Sequence, residues 1–157
     1  MSYSRVGMAP RLNRVPLGSA VQPALFKLAS RIRESGAEVT YGDLPEVHAD
    51  DAQLAQVFEQ LIKNAIAFRS NEPLRIEITA EEGSDASLVS VRDNGIGIDP
   101  RFHDFVFLPF KRLHGKEVPG AGLGLAICRK IIRAHGGRIW VESDGKHGST
   151  FQFSVPF

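Results

Sequence analysis

Cysteine is nearly absent from this chain. Cys128 stands alone among 157 residues, which excludes an internal disulfide and any zinc site built from several thiolates. Long apolar runs are missing too: none approaches the ~20 residues a helix needs to cross a bilayer. Met1–Pro16 has no apolar leader core and carries three arginines without an acid. Nor is there an excess of one charge. Lys and Arg number 19 against 18 Asp and Glu, a net charge of +1, so no bulk field draws the chain to nucleic acid or an anionic membrane. The expectation is a cytoplasmic setting with no nucleic acid and no direct membrane contact. The hydrophobic share of 43% and charged share of 24% are ordinary for a globular domain. A chain of this length buries ~68–70% of its unfolded surface, so it needs no disulfide or metal to fold.

What is unusual is local. Of 15 glycines, most fall between Gly95 and Gly148. From Asn94 to His135 there are seven Lys or Arg against three Asp or Glu. Glycine marks backbone that turns sharply or approaches something closely. Backbone amides with nearby cations suit a polyphosphate, although glycine-rich basic stretches also occur as plain solvated loops.

Hydrophobic spacing supplies the frame. Residues 1–18 read as an N-terminal arm, disordered or packed at an edge, and 19–157 as one domain. Val21, Leu25, Leu28, Ala29 and Ile32 predict a helix over 19–35, stopped by Gly36. Ala37 to Tyr41 is a strand candidate, followed by a turn at Pro45. Asp50 or Asp51 caps a second helix with the cleanest period in the chain: Leu54, Val57, Phe58, Leu61, Ile62, Ala65 and Ile66. Leu74, Ile76, Ile78 and Ala80 alternate with polar residues, and Leu88 to Asp93 returns as a second strand. Residues 94–119 are irregular and carry Phe102, Phe105, Phe107 and Phe110. Leu123 to His135 is a helix closed by Gly136–Gly137, and 138–143 and 149–155 are two last strands. Helices against one face of a mostly antiparallel sheet is an α+β, two-layer plan.

Four groups of residues bear chemistry. Gln56, Gln60 and Asn64 stack at i, i+4 spacing beside the apolar stripe, and the Asn64 carbonyl is a ligand type that magnesium accepts. The plain alternative is a solvated polar face. Asp93 falls on the same strand face as Val89 and Val91, where a carboxylate is costly unless something donates to it. A purine amine is such a donor, and Gly95 and Gly97 leave room for a flat base; a turn aspartate satisfied by local amides is the alternative. Gly120, Gly122 and Gly124 open a helix, whose positive end and free amides attract anions. Before them, Lys111 and Arg112 directly follow Phe107 and Phe110, a point charge and a fork for phosphate oxygens. The P-loop pattern is absent, as are the HRD and DFG motifs of eukaryotic-type protein kinases.

Taken in order, these pieces resemble a known family. An asparagine-bearing helix, Asp93-x-Gly95-x-Gly97, a phenylalanine-rich basic segment, Gly120-x-Gly122-Leu-Gly124-Leu and terminal Gly148-Ser149-Thr150-Phe151 resemble the catalytic ATP-binding domain of sensor histidine kinases. That domain is shared more widely with gyrase, the Hsp90 chaperones and MutL. The likeness covers residues 20–157. The stretches 56–69, 108–115 and 135–143 look most like phytochrome-type kinases. The resemblance implies the Bergerat fold, a two-layer α/β sandwich with a mixed, mostly antiparallel sheet and helices on one face. It implies ATP and Mg2+ as ligands, with Asn64 holding the metal. Phe68 would pack beside adenine, which Asp93 would anchor with space given by Gly95 and Gly97. Lys111 and Arg112 would meet the outer phosphates, the three helix-start glycines would cradle the tail, and Thr150 would support the adenine end through water.

It further implies transfer of the γ-phosphoryl group to a histidine on a separate dimerisation domain, with a response regulator downstream. No nucleophile is expected in this chain, because none of its five histidines stands in an acceptor-like H-E/D-x-x-x-P context. Two positions depart from the pattern. Gln60 replaces a common asparagine, and Ala67 replaces a common phosphate-binding lysine, a loss of ~1–3 kcal/mol for one charge-assisted contact. Arg69 and Lys63 are the candidate substitutes, although neither shares the helical face of Ala67. The departures leave a degenerate pseudokinase or docking module as one alternative. A serine kinase of the anti-sigma type is another, against which the Gly-Leu-Gly-Leu-Ala-Ile helix start speaks.

Overall fold

A computed structural model describes residues 9–108 and 121–157. Strands β2 (Glu38–Tyr41), β4 (Arg75–Glu82), β5 (Ala86–Asp93), β7 (Ser149–Pro156) and β6 (Ile139–Glu142) lie side by side in that order. The β2–β4 pair is parallel and the other three are antiparallel, so the sheet is mixed but mostly antiparallel. Helices α1 (Gly18–Lys27), α2 (Ala29–Ser35), α3 (Asp51–Ala67) and α4 (Ala121–Ala134) complete the layer plan.

Alternation along the strands decides which face is dry. Ile76, Ile78, Val89, Val91, Phe151, Phe153 and Val155 are buried with Leu54, Phe58, Leu61, Ile62, Ile131 and Ile132 of α3 and α4. Phe58 and Phe153 meet edge to face, ring centres 5.7 Å apart. Each such ring contributes ~1.5–3 kcal/mol by leaving water. Glu77, Thr79, Ser90, Arg92, Thr150 and Gln152 take the opposite face and border a shallow polar cavity of about 490 Å³.

The ends of the two central helices follow from local chemistry. Asp50 is the N-cap of α3: its carboxylate accepts from Gln53 N–H at 3.1 Å and from Arg11 N–H at 3.0 Å. At the end of α4, Gly136 takes φ +84°, and the Gly136 and Gly137 amides donate to the carbonyls of Arg133 and Ile132. His135 is buried there. One ring nitrogen accepts from Asp50 N–H at 3.1 Å, and the other bonds the Ile131 carbonyl at 2.9 Å. It is a helix-end residue, as its position in the sequence suggests.

The structure differs from the sequence reading in three places. The helix over 19–35 is two helices, kinked at Leu28, where ψ moves to 9°. Hydrogen bonds from Leu28 to Ala24 and from Ile32 to Leu28 run across the break, and Leu28 is buried as its place on the apolar stripe predicts. Residues Asn13–Pro16 of the arm form β1, paired antiparallel with β3 (Glu46–Ala49) in a separate two-stranded sheet. Finally, the segment after Asp93 contains two short 3₁₀ turns, Pro100–Phe102 and Phe105–Phe107. Phe107 is buried edge-on to Phe151 at 6.0 Å, anchoring the segment, whereas Phe102 is exposed.

Candidate functional site

Asp93 ends β5 on its inward face and is only 8% exposed. Its Oδ1 accepts from Gly95 N–H at 2.9 Å, and its strand partner is Ser149. Burial pushes its pKa from 3.8 up to about 6, against the pull of the Gly95 and Ser149 backbone amides. A carboxylate has about four acceptor sites, so it is able to take more donors.

The turn that follows is held from three sides. Asn94 staples it to the start of β4, its Oδ1 accepting from Arg75 N–H at 2.7 Å and its Nδ2 donating to the Pro73 carbonyl at 2.9 Å. Ile96 N–H donates to the carbonyl of Phe68, the C-cap of α3, at 3.0 Å. A Cβ at Gly95 would stand 2.5 Å from that same carbonyl, so only glycine fits. Gly97, at φ +83°, backs onto Gly145 and Lys146 of the β6–β7 turn, and Ser143 Oγ lies beside it. Close backbone packing of this kind leaves no room for a Cβ at either glycine.

Asn64 lies one helical turn before Phe68, whose N–H it caps with its own carbonyl at 3.0 Å. The Asn64 side chain is buried, and among the described residues its Oδ1 has no hydrogen-bond partner. An orphaned buried amide oxygen is costly unless something coordinates it, which fits a hard cation such as Mg2+. Among the described residues no group of three His, Cys, Asp or Glu could hold a metal. A single amide oxygen completed by phosphates and water is the kind of ligand set Mg2+ uses.

Packing of α3 on α4 brings the polar stripe to the glycine-rich helix start. Gly124 is buried against Gln60, and a Cβ at 124 would collide with Gln60 Oε1. Gly122 lies in the first turn of α4. Gly120, Lys111 and Arg112 lie outside the described residues, as do Phe110 and His114. Asn64, Phe68, Asp93, Gly95 and Gly97 are therefore linked in one region where α3 ends beside the turn after β5. The α3–α4 contact brings Gly124 to that helix.

Thr150 needs correction. Register pairs Thr150 with Arg92 and Ser149 with Asp93. Thr150 thus joins Arg92 and Gln152 on the outer face, and Ser149 is the buried residue beside the carboxylate. Strand alternation from Phe151 and Phe153 carries that signal in the sequence. Arg69 is likewise committed elsewhere, its guanidinium donating to the Ile66 carbonyl at 2.8 Å across the end of α3. Gly148, the first residue of the terminal motif, has φ +88°, and a Cβ there would collide with the Asp93 carbonyl.

The sequence profile of the histidine kinase-, DNA gyrase B- and HSP90-like ATPases matches residues 49–157. Cyanobacterial phytochrome A of Nostoc sp. is 50% identical over 99% of this chain, which spans 21% of that relative's length. Full-length ShkA, solved in complex with AMPPNP, superposes with a TM-score of 0.82 at 28% identity, covering 99% of this chain and 34% of that one. Histidine kinase ThkA, solved in complex with the response regulator protein TrrA, gives 0.75 at 29% identity, covering 94% of this chain and 42% of that one. Among the described residues no helix is long and apolar enough to cross a membrane.

Proposed function

The chain belongs to the histidine kinase-, DNA gyrase B- and HSP90-like ATPase family, and on that premise we propose that it binds Mg-ATP and presents it to a histidine on a separate helical dimerisation domain. The observation that carries this reading is the Asp93 carboxylate. It is buried, has acceptor capacity left over, and adjoins a glycine turn that three neighbouring segments hold in place. Desolvation makes an added donor there worth more than on the surface, and the adenine amine is the donor of the right kind.

The other residues divide the ligand between them. Asn64 supplies the metal with an amide oxygen, and bound Mg2+ neutralises charge on the phosphates. Phe68 borders the base. Gly122 and Gly124, with Gly120 before them, free the amides at the positive end of α4 for the phosphate tail. Lys111 and Arg112 are assigned to the outer phosphates by resemblance. Ser149, rather than Thr150, supports Asp93, acting through its backbone amide. The work of such a domain is positioning and charge stabilisation, so the nucleophile comes from its partner. The response regulator in the ThkA complex suggests the next acceptor.

The departures at Gln60 and Ala67 favour the second reading, a pseudokinase or docking module that binds nucleotide weakly. One experiment separates the two. The chain is incubated with ATP labelled at the γ-phosphate and a candidate helical dimerisation domain that carries a histidine. Acid-labile label on a histidine of the partner supports the kinase, and its loss in Asp93→Asn ties it to this site. Label on serine would move the chain to the anti-sigma class. No label with a functional partner leaves the pseudokinase.

A further inference from the structure

Ser143, just past β6, makes three hydrogen bonds with one hydroxyl. Its Oγ accepts from Ile98 N–H at 2.9 Å and Gly145 N–H at 3.1 Å, and donates to the Gly148 carbonyl at 2.6 Å. A hydroxyl has one proton and two lone pairs, so Ser143 is fully used. The first bond reaches the turn after Asp93, and the other two stay within the β6–β7 turn.

We propose that Ser143 is a positioning residue for the nucleotide site, fixing the Asp93–Gly97 turn against the β6–β7 turn so that the Asp93 carboxylate is held for the base. This rests on the nucleotide reading above and extends it to a residue that does not touch the ligand. The argument is one of connectivity. The Asp93 carboxylate accepts from Gly95 N–H within its own turn, and its strand partner Ser149 directly follows the β6–β7 turn. A side chain that locks the two turns together sets where the Gly95 donor stands against that strand. Gly97 against Gly145 and Gly148 against the Asp93 carbonyl give the same two turns their close backbone fit, but the packing is contact without direction. The Ser143 to Ile98 hydrogen bond supplies the direction.

The β6–β7 turn does not rest on Ser143 alone. Asp144 closes it by accepting from the Lys146 and His147 amides at 2.8 and 2.9 Å. On the other side, the Ile98 carbonyl is bonded by a His103 ring nitrogen at 3.0 Å. Removing the Ser143 hydroxyl therefore releases the link to Ile98 together with the bonds to Gly145 and Gly148, while Asp144 still closes the β6–β7 turn and His103 still holds Ile98.

The test measures binding of an ATP analogue with Mg2+ to the unaltered chain, Ser143→Ala, Ser143→Thr and Asp93→Asn, together with the melting temperature of each without nucleotide. The expected result is binding at least tenfold weaker in Ser143→Ala, restored to within about threefold by Ser143→Thr, with little loss of melting temperature in either. Alanine binding as tightly as serine, while Asp93→Asn binds nothing, overturns the role of Ser143 and leaves the nucleotide reading standing. Threonine as weak as alanine also overturns it, because the hydroxyl is then irrelevant. An unaltered chain that binds nothing overturns both. Should Ser143→Ala fail to fold, amide hydrogen exchange on the unaltered chain decides: Ile98 and Gly145 gain protection when the nucleotide analogue is added, and unchanged protection overturns the inference.

Discussion

A Cβ on Gly95 would stand 2.5 Å from the carbonyl oxygen of Phe68, so the turn after β5 and the end of α3 touch backbone to backbone. The oxygen cannot retreat, because it also accepts the Ile96 amide. Gly95→Ala must therefore move the turn away from the helix. Overpacking of this kind costs about 1–3 kcal/mol, measurable by denaturant unfolding. Nucleotide binding should fall more than stability does, since Asp93 is held by the Gly95 amide.

Asp93 gives stability and binding opposite pH dependences. Its pKa rises from 3.8 unfolded to about 6 folded. The folded chain without nucleotide thus holds this proton more tightly. The group's contribution is fully present below about pH 4 and is lost as pH climbs through about 6, roughly 3 kcal/mol in all. Nucleotide affinity should run the other way, falling as pH drops through 6 and the acceptor is protonated. Asp93→Asn should raise stability at pH 7.5 by about 1–3 kcal/mol and flatten the pH profile. Urea unfolding at pH 5 and pH 8 checks both.

Gln60 and Gly124 are coupled across the α3–α4 contact. Alanine is favoured over glycine inside a helix by about 1 kcal/mol, but here its methyl group meets the Gln60 amide. Gly124→Ala should therefore gain little in the natural chain and about 1 kcal/mol when Gln60→Ala is also present. A double-mutant cycle on unfolding free energy reads the difference; additive values would mean that Gln60 swings away without cost.

Asn64 should carry the metal dependence of binding. Removing Mg2+ with a chelator should weaken the natural chain's hold on ATP, whereas Asn64→Ala should be weak with or without the metal. Titrations with and without chelator decide this. A variant that stays fully Mg2+-dependent would move the metal contact elsewhere.

The layer plan and most of the site are legible in the sequence because their signals are local. The period from Leu54 to Ile66 and the alternation through Ile76 and Val89 each report a single element against a dry face. Asp93 is legible for the same reason, as an acid on an apolar register. The kink at Leu28 is not, since hydrophobic spacing continues through it. The β1–β3 sheet is hidden because two four-residue strands carry too little pattern and pair across some thirty residues. Thr150, to which the family resemblance points, faces outward beside Arg92. Counting back from buried Phe151 and Phe153 puts Ser149 inside. The contacts of Ser143 and Gly148 are not legible, because they run between turns, which spacing along the chain does not record.

The measurement that tests the central claim most directly is calorimetric titration of Mg-ATP into the chain at pH 7.5, repeated with Asp93→Asn. Saturable binding to the natural chain and none to the variant is the expected result. No heat and no thermal stabilisation at millimolar Mg-ATP, or equal binding by both proteins, would contradict it.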